Sequence, residues 1–294
     1  MVTAAQLPGW LHEQYPFEPR SFETDHGRMS YLDEGEGDEA VLMVHGNPTW
    51  SFFYRHLVLA LRGRWRCIVP DHLGCGLSDK PQDFDYTLGN HIRNLRALVD
   101  SLNLKRIHLI VHDWGGPIGL GTMLPDADRL GKVVIMNTAA FADTVIPLRI
   151  RLCRIPRLGE LIVRGCNGFA WPATWMAVSK PLPAAVKRGF LFPYDSWQHR
   201  IAVHRFVQDI PTGRGEASDV PLAQIEAALP LLKQKSVLVL WGGQDFCFTR
   251  HYFHRWRAVL PTAKNVYLDN AGHYLLEDER DGCLNRINIF LDQA

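Results

Sequence analysis

No stretch of this chain reaches the run of about 18 apolar residues that a membrane span requires, so a stable transmembrane helix is excluded. The amino terminus, MVTAAQLPGW, has no basic region leading into an apolar one, and no secretory leader is read there. Charge of one sign is not in excess. The 32 Lys and Arg against 31 Asp and Glu leave a net +1, which gives nucleic acid no global reason to bind. Cysteine is sparse and scattered: Cys67, Cys75, Cys153, Cys166, Cys247 and Cys283 include no Cys-x-x-Cys pair and no zinc-type cluster. They read as free thiols in a reducing compartment, and the expected location is the cytoplasm. Internal repeats and low-complexity tracts are lacking too.

What is present is the composition of an ordinary folded protein, with 47% apolar and 21% charged residues over 294 positions. At about 150 residues per domain that length suits one large domain or two ordinary ones. Short β-branched runs alternate with helical stretches, the pattern of a mostly parallel sheet covered by helices in an α/β protein. The expected strands are Ala40–Val44, Cys67–Val69, Ile107–Val111, Val133–Met136, Val237–Leu240 and Asn265–Leu268, with an amphipathic helix over Leu88–Leu102. About a hundred residues then separate Met136 from Val237 without a comparable strand. That segment is rich in proline and carries Trp171, Trp175 and Trp197 and candidate helices at Leu182–Phe190 and Ser196–Val207. It is read as a helical cap over 141–218, inserted between two parts of one core, 1–140 and 219–294, and covering the sheet edge where ligands bind. A separately folded second domain is the alternative.

The run Ile107–Val111 leads into His112-Asp113-Trp114-Gly115-Gly116 and then a helix. This is the arrangement of a nucleophile elbow, in which a strained strand-to-helix turn exposes the reactive atom and small residues let backbones pass. Here Asp113 occupies the position of the usual serine. A carboxylate is already ionised at neutral pH and needs no base to attack carbon, so a base would serve a later step, the hydrolysis of the resulting ester of Asp113. Taken alone, Asp113 could equally cap the following helix. Two further residues weigh against that plain reading. Asp245, in WGGQD past the strand at Val237, and His273, in NAGHY after the next strand, complete the chain order nucleophile, acid, base. His273 would deprotonate water, and Asp245 would hold its tautomer and stabilise the imidazolium.

After the strand ending at Val44 comes His45-Gly46-Asn47-Pro48-Thr49-Trp50. A loop at this place supplies one oxyanion amide, and the residue after the nucleophile supplies the other, so the backbone N–H groups of Asn47 and Trp114 are the candidates. Their side chains also carry N–H donors that could converge on a halide or carboxylate leaving group. The plainer alternative is that Trp114 packs under the cap and Asn47 shapes the turn.

Taken in order, HGNPTW, DHLGCGLSDKP at Asp71–Pro81, VHDWGG, WGGQD and AGHYLLED resemble the haloalkane dehalogenases of the α/β-hydrolase fold, and the likeness spans the whole sheet region. The resemblance implies hydrolytic removal of halide from a haloalkane through an alkyl-enzyme ester, with no cofactor and no metal. Carried over by motif, Asp113 is the nucleophile, His273 the base, Asp245 the acid, and Asn47 with Trp114 hold the halide. In that family the acid follows either of two strands. Asn137, after the earlier one, is not an acid, so the role falls to Asp245. The β-lactone decarboxylases of long-chain olefin biosynthesis share the same Asp, His, Asn and Trp, and the segments SWQHRIAVHRFVQDIP and MNTAAF look like both groups. The expectation is therefore a dehalogenase with β-lactone decarboxylation as the alternative. The implied partners are a small apolar substrate and halide, and a homo-oligomer is left open.

Two other readings weigh less. Epoxide hydrolases also use an aspartate elbow but activate the oxygen with two cap tyrosines, and Tyr194 is the only tyrosine between Met136 and Val237. Folds of this type can also become non-catalytic binding proteins, usually by losing a triad member, whereas all three stand here. The glycine-rich DHLGCGLSD lacks the G-K-[ST] ending of a phosphate loop and is read as a tight loop beyond a strand. Arg149, Arg151, Arg154, Arg157 and Arg164 against Glu160 are read as a solvated or oligomer-forming cap face, with docking on anionic lipid as the alternative.

Overall fold

The computed structural model describes residues 7–143, 146–213 and 215–293. Eight strands form one sheet: β1 (Arg20–Thr24), β2 (Gly27–Glu34), β3 (Glu39–Val44), β4 (Arg66–Pro70), β5 (Arg106–His112), β6 (Leu130–Met136), β7 (Val237–Gly242) and β8 (Lys264–Leu268). Their spatial order is β1-β2-β4-β3-β5-β6-β7-β8. From β4 to β8 neighbouring strands run parallel, whereas β1 and β2 pair antiparallel with each other and β2 with β4.

The central strands are buried on both faces, as parallel strands sandwiched between helices must be, and their sequences accordingly run continuously apolar. Along β3 the two faces separate by alternation: Ala40, Leu42 and Val44 enter one core, Val41 and Met43 the other. Each of the six expected strands is present, extended by one to three residues. The hairpin β1-β2 was not anticipated from the sequence. It lies at the sheet edge, where mixed burial and polar residues weaken any apolar run, and Thr24 pairs with Gly27 across Asp25 and His26.

Between β6 and β7 lie helices at Leu148–Cys153, Ala170–Met176, Ala184–Leu191 and Ile201–Gln208; the first, second and fourth contribute to a small core that includes Ile150, Val163, Tyr194 and Val203, whereas Val186 and Phe190 of the third join the core that holds Val41 and Met43. The arginine-rich stretch is not one continuous helix. It breaks after Cys153, where Pro156 lacks an N–H and Arg157 adopts a left-handed φ of 62°, and resumes as a short turn and a π-helical segment, Leu161–Gly165. All six cysteines are free.

Candidate active site

Strand β5 ends at His112, and the chain turns through Asp113 into the helix Gly115–Met123. Asp113 has a φ of 53°, in the left-handed region that costs a non-glycine residue strain and is kept where surrounding structure enforces it. The enforcement is steric. A Cβ on Gly115 would lie 1.9 Å from the carbonyl oxygen of Val44, and one on Gly116 would lie 1.9 Å from Oγ1 of Thr138. Gly46, on the facing loop, has the same requirement, since a Cβ there would come within 2.0 Å of Oδ1 of Asp113.

The Asp113 carboxylate does not cap the helix. It reaches across to the β3 loop, where the backbone N–H of Asn47 donates to Oδ1 at 2.6 Å. Oδ2 is the oxygen that faces His273, whose Nε2 stands 3.7 Å away. Burial raises the pKa of Asp113, and the attraction of His273 and the Asn47 amide offset this only in part.

On its other side His273 donates from Nδ1 to Oδ2 of Asp245 at 2.7 Å. Burial would depress the pKa of His273, but the charge and hydrogen bond of Asp245 and the charge of Asp113 outweigh it, so the net shift is upward. Asp245 is itself tied down, with Oδ1 accepting the backbone N–H groups of Cys247 at 2.7 Å and Phe248 at 3.1 Å. The ring of Phe248 stacks on His273, that of His112 packs against it at a tilt, and Nε2 of His112 bonds to its carbonyl oxygen at 2.9 Å.

Asn137 is a member of this site that sequence reasoning passed over. Its Nδ2 donates to Oδ2 of Asp245 at 2.9 Å and to the Gly242 carbonyl at 3.0 Å, while its Oδ1 accepts the Gly242 N–H at 2.7 Å. The end of β6 thereby clasps the end of β7 and orients the carboxylate that orients His273. The motif asks only for an acid at position 137, and the amide that stands there is the signal in the sequence.

The side chains of Asn47 and Trp114 both line the cavity above Asp113. One amide hydrogen of Asn47 is engaged by the carbonyl of Val203, in the helix Ile201–Gln208, at 3.2 Å. The Trp114 ring packs against Phe206 of the same helix. Tyr194 is buried, donates to the Thr49 carbonyl at 3.3 Å, and does not line the cavity. The cavity is about 410 Å³, within the usual range for small-molecule sites, and its walls are mostly apolar: Phe141, Ile150, Phe169, Met176, Val207 and Leu222 among others.

The model of the α/β-hydrolase fold family matches residues 39–280. Cis-3-alkyl-4-alkyloxetan-2-one decarboxylase from Shewanella oneidensis is 44% identical over 95% of this chain and 90% of its own length. The enzyme of the same name from Xanthomonas campestris is 42% identical over 95% of this chain and 97% of its own length. Haloalkane dehalogenase 2 from Mycobacterium tuberculosis is 35% identical, covering 91% of this chain and 92% of that protein. This chain belongs to the haloalkane dehalogenase-like α/β-hydrolases. It is an enzyme of that kind. The haloalkane dehalogenase DatA from Agrobacterium tumefaciens superposes with a TM-score of 0.83 at 23% identity, over 93% of this chain and 95% of that one, and so shares the fold.

For an α/β-hydrolase of this type the chemistry open to the site follows from its parts. A carboxylate with one oxygen fixed by the Asn47 amide presents the other toward an apolar cavity, where water competes poorly as a ligand for charge. A histidine poised between two carboxylates stands beside it.

Proposed function

We propose that this α/β-hydrolase opens and decarboxylates cis-dialkyl β-lactones, with Asp113 as nucleophile, and that residues 141–218 form a cap between the core parts 1–140 and 219–294. The observation that carries the reading is the carboxylate of Asp113 held at the floor of a roomy apolar cavity, a setting for a substrate with two alkyl branches. The 44% and 42% identities to oxetanone decarboxylases support it over the dehalogenase reading.

In this scheme Oδ2 of Asp113 attacks the ring carbon that bears the lactone oxygen. That carbon–oxygen bond breaks with inversion, leaving an alkyl ester of Asp113 and a free substrate carboxylate. The Trp114 indole N–H and the remaining Asn47 amide hydrogen would bind that carboxylate. Loss of CO2 then sends the carbon–carbon bonding pair into the new double bond, and the ester oxygen leaves as the restored Asp113 carboxylate. Inversion followed by anti elimination gives the cis olefin from the cis lactone. No water is consumed and no net proton moves.

Haloalkane hydrolysis is the second reading, and the 3.7 Å gap between His273 and Asp113 favours it, since an ester carbonyl and a water could be served there. Halide would take the place of the carboxylate between Asn47 and Trp114. His273 would then activate water for attack on the ester, with the Asn47 and Trp114 amides as the oxyanion donors. Esterification removes the Asp113 charge, one of the influences that raise the pKa of His273, and so makes it a more available base.

Both readings are separated by one assay on purified enzyme, in which bromide release from a bromoalkane and olefin formation from a long-chain β-lactone are followed in parallel. Olefin formation far faster than bromide release is the expected result, and bromide without olefin would replace the decarboxylase reading with the dehalogenase one. Asp113→Ala should abolish both.

A further inference from the structure

The cap carries a charge asymmetry that the whole-chain total hides. Between residues 144 and 194 the sequence holds eight cations, Arg149, Arg151, Arg154, Arg157, Arg164, Lys180, Lys187 and Arg188, and one acid, Glu160, a net +7. The whole chain is +1, so the remainder carries −6. The structure sorts these arginines. Arg154 turns inward to the Ile210 carbonyl and Glu216, and Arg164 is buried against Glu160 and Gln82. Arg149, Arg151 and Arg157 remain exposed.

The same stretch exposes large apolar side chains: Leu148 at 68%, Leu161 at 57%, Trp171 at 55%, Leu158 at 47%, Leu152 at 45% and Trp175 at 44%. Clustered exposure of this kind marks an interaction site. The helices that bear it adjoin each other, since an Arg149 guanidinium N–H points at the sulfur of Met176 at 3.9 Å. Arg149, Leu152 and Met176 also line the cavity above Asp113, and because Arg149 and Leu152 are exposed, this surface is the rim of the cavity mouth.

We infer that this rim docks on an anionic lipid bilayer. Exposed arginines favour an anionic surface, and exposed leucines and paired tryptophans favour the boundary between headgroup and acyl chain, where amphipathic rings settle. Trp171 and Trp175 are in edge-to-face contact, with centroids 4.3 Å apart, and present their rings as one unit. Among the described residues no helix is long and apolar enough to cross a membrane, so the contact is peripheral. The docking stands on the surface itself. Its use, delivery of a long-chain lactone from the lipid phase and return of an olefin to it, rests on the decarboxylase reading.

The test is flotation of the full-length enzyme with phosphatidylcholine vesicles and with vesicles enriched in phosphatidylglycerol, at low and high salt. Binding to the anionic vesicles, weakened by salt and falling at least about tenfold in Arg151→Glu/Arg157→Glu and in Trp171→Ser/Trp175→Ser, is expected. None of those four residues lines the cavity, so turnover of a soluble short-chain substrate should persist and report that both variants fold. Equal flotation with both vesicle types, no flotation, or flotation unchanged in the variants overturns the inference. So does a concentration-dependent dimer in light scattering that Trp171→Ser/Trp175→Ser dissociates without any vesicle binding. Because flotation involves no catalysis, failure here is distinct from failure of the olefin assay.

Discussion

His273 contacts its two carboxylates unequally: 2.7 Å from Nδ1 to Asp245, a hydrogen bond, and 3.7 Å from Nε2 to Asp113, beyond one. The side toward Asp113 is therefore where a reacting atom or a water can enter. Hydrolysis of an ester needs that histidine as base, whereas lactone decarboxylation moves no net proton. His273→Phe should cut bromide turnover by about 1000-fold and leave an alkyl adduct on Asp113 detectable by mass spectrometry, while the loss in olefin formation stays smaller. Absence of the adduct with a reactive bromoalkane would refute the two-step scheme.

Gly46→Ala tests the steric construction of the elbow. The added Cβ would collide with the Asp113 carboxylate, so the side chain must move off the Asn47 amide. A fall in kcat of about 100-fold or more is expected, the usual scale for a misplacement near 1 Å, with a fold retained by circular dichroism. Activity within a few-fold of the parent would show that the carboxylate position is not critical.

Asn137→Ala removes three hydrogen bonds at once and leaves the buried Gly242 N–H without its acceptor. A stability cost of about 1–3 kcal/mol is expected in denaturant unfolding. The kcat should fall by up to about 100-fold through misorientation of Asp245, with KM nearly unchanged. Loss of stability with kcat intact would make Asn137 a purely structural clasp.

Ala173→Phe narrows the apolar cavity from the wall formed by the helix Ala170–Met176. Long-chain substrates should lose kcat/KM by about tenfold or more relative to short-chain ones. An unchanged chain-length profile would mean that the alkyl arms lie elsewhere.

Acid should destabilise the fold through buried histidines. His72 is fully buried and its pKa is lowered to about 4 by desolvation, from an unfolded value near 6.5. The stability it contributes is whole above pH 6.5 and is lost as pH falls toward 4, up to about 3 kcal/mol. His91 stacks on Phe206 with both ring nitrogens unpartnered, and burial lowers its pKa as well. Thermal unfolding should show Tm dropping below pH 6.5, with a shallower drop in His91→Phe. Parallel Tm profiles for the two proteins would exclude His91 as a contributor.

The sequence by itself determined the strand-helix alternation, the six strands from β3 to β8, the elbow at Asp113 and the order of Asp113, Asp245 and His273, because each rests on local patterning: continuous apolar runs, glycines at close approaches, and residues just past strand ends. Tertiary structure decided the rest. The β1-β2 hairpin gains its place by pairing with β4, not from its own polar sequence. The Asn137–Asp245 bond joins residues 108 positions apart, and Asn47 meets Val203 across 156, so no window of sequence contains either pair. Pro156 and Arg157 break the arginine-rich stretch, and only packing chose which of its arginines turn inward to carbonyls and acids and which face outward. Helix and strand periods are written in neighbours, whereas partners brought together by chain crossing depend on the sheet that forms between them.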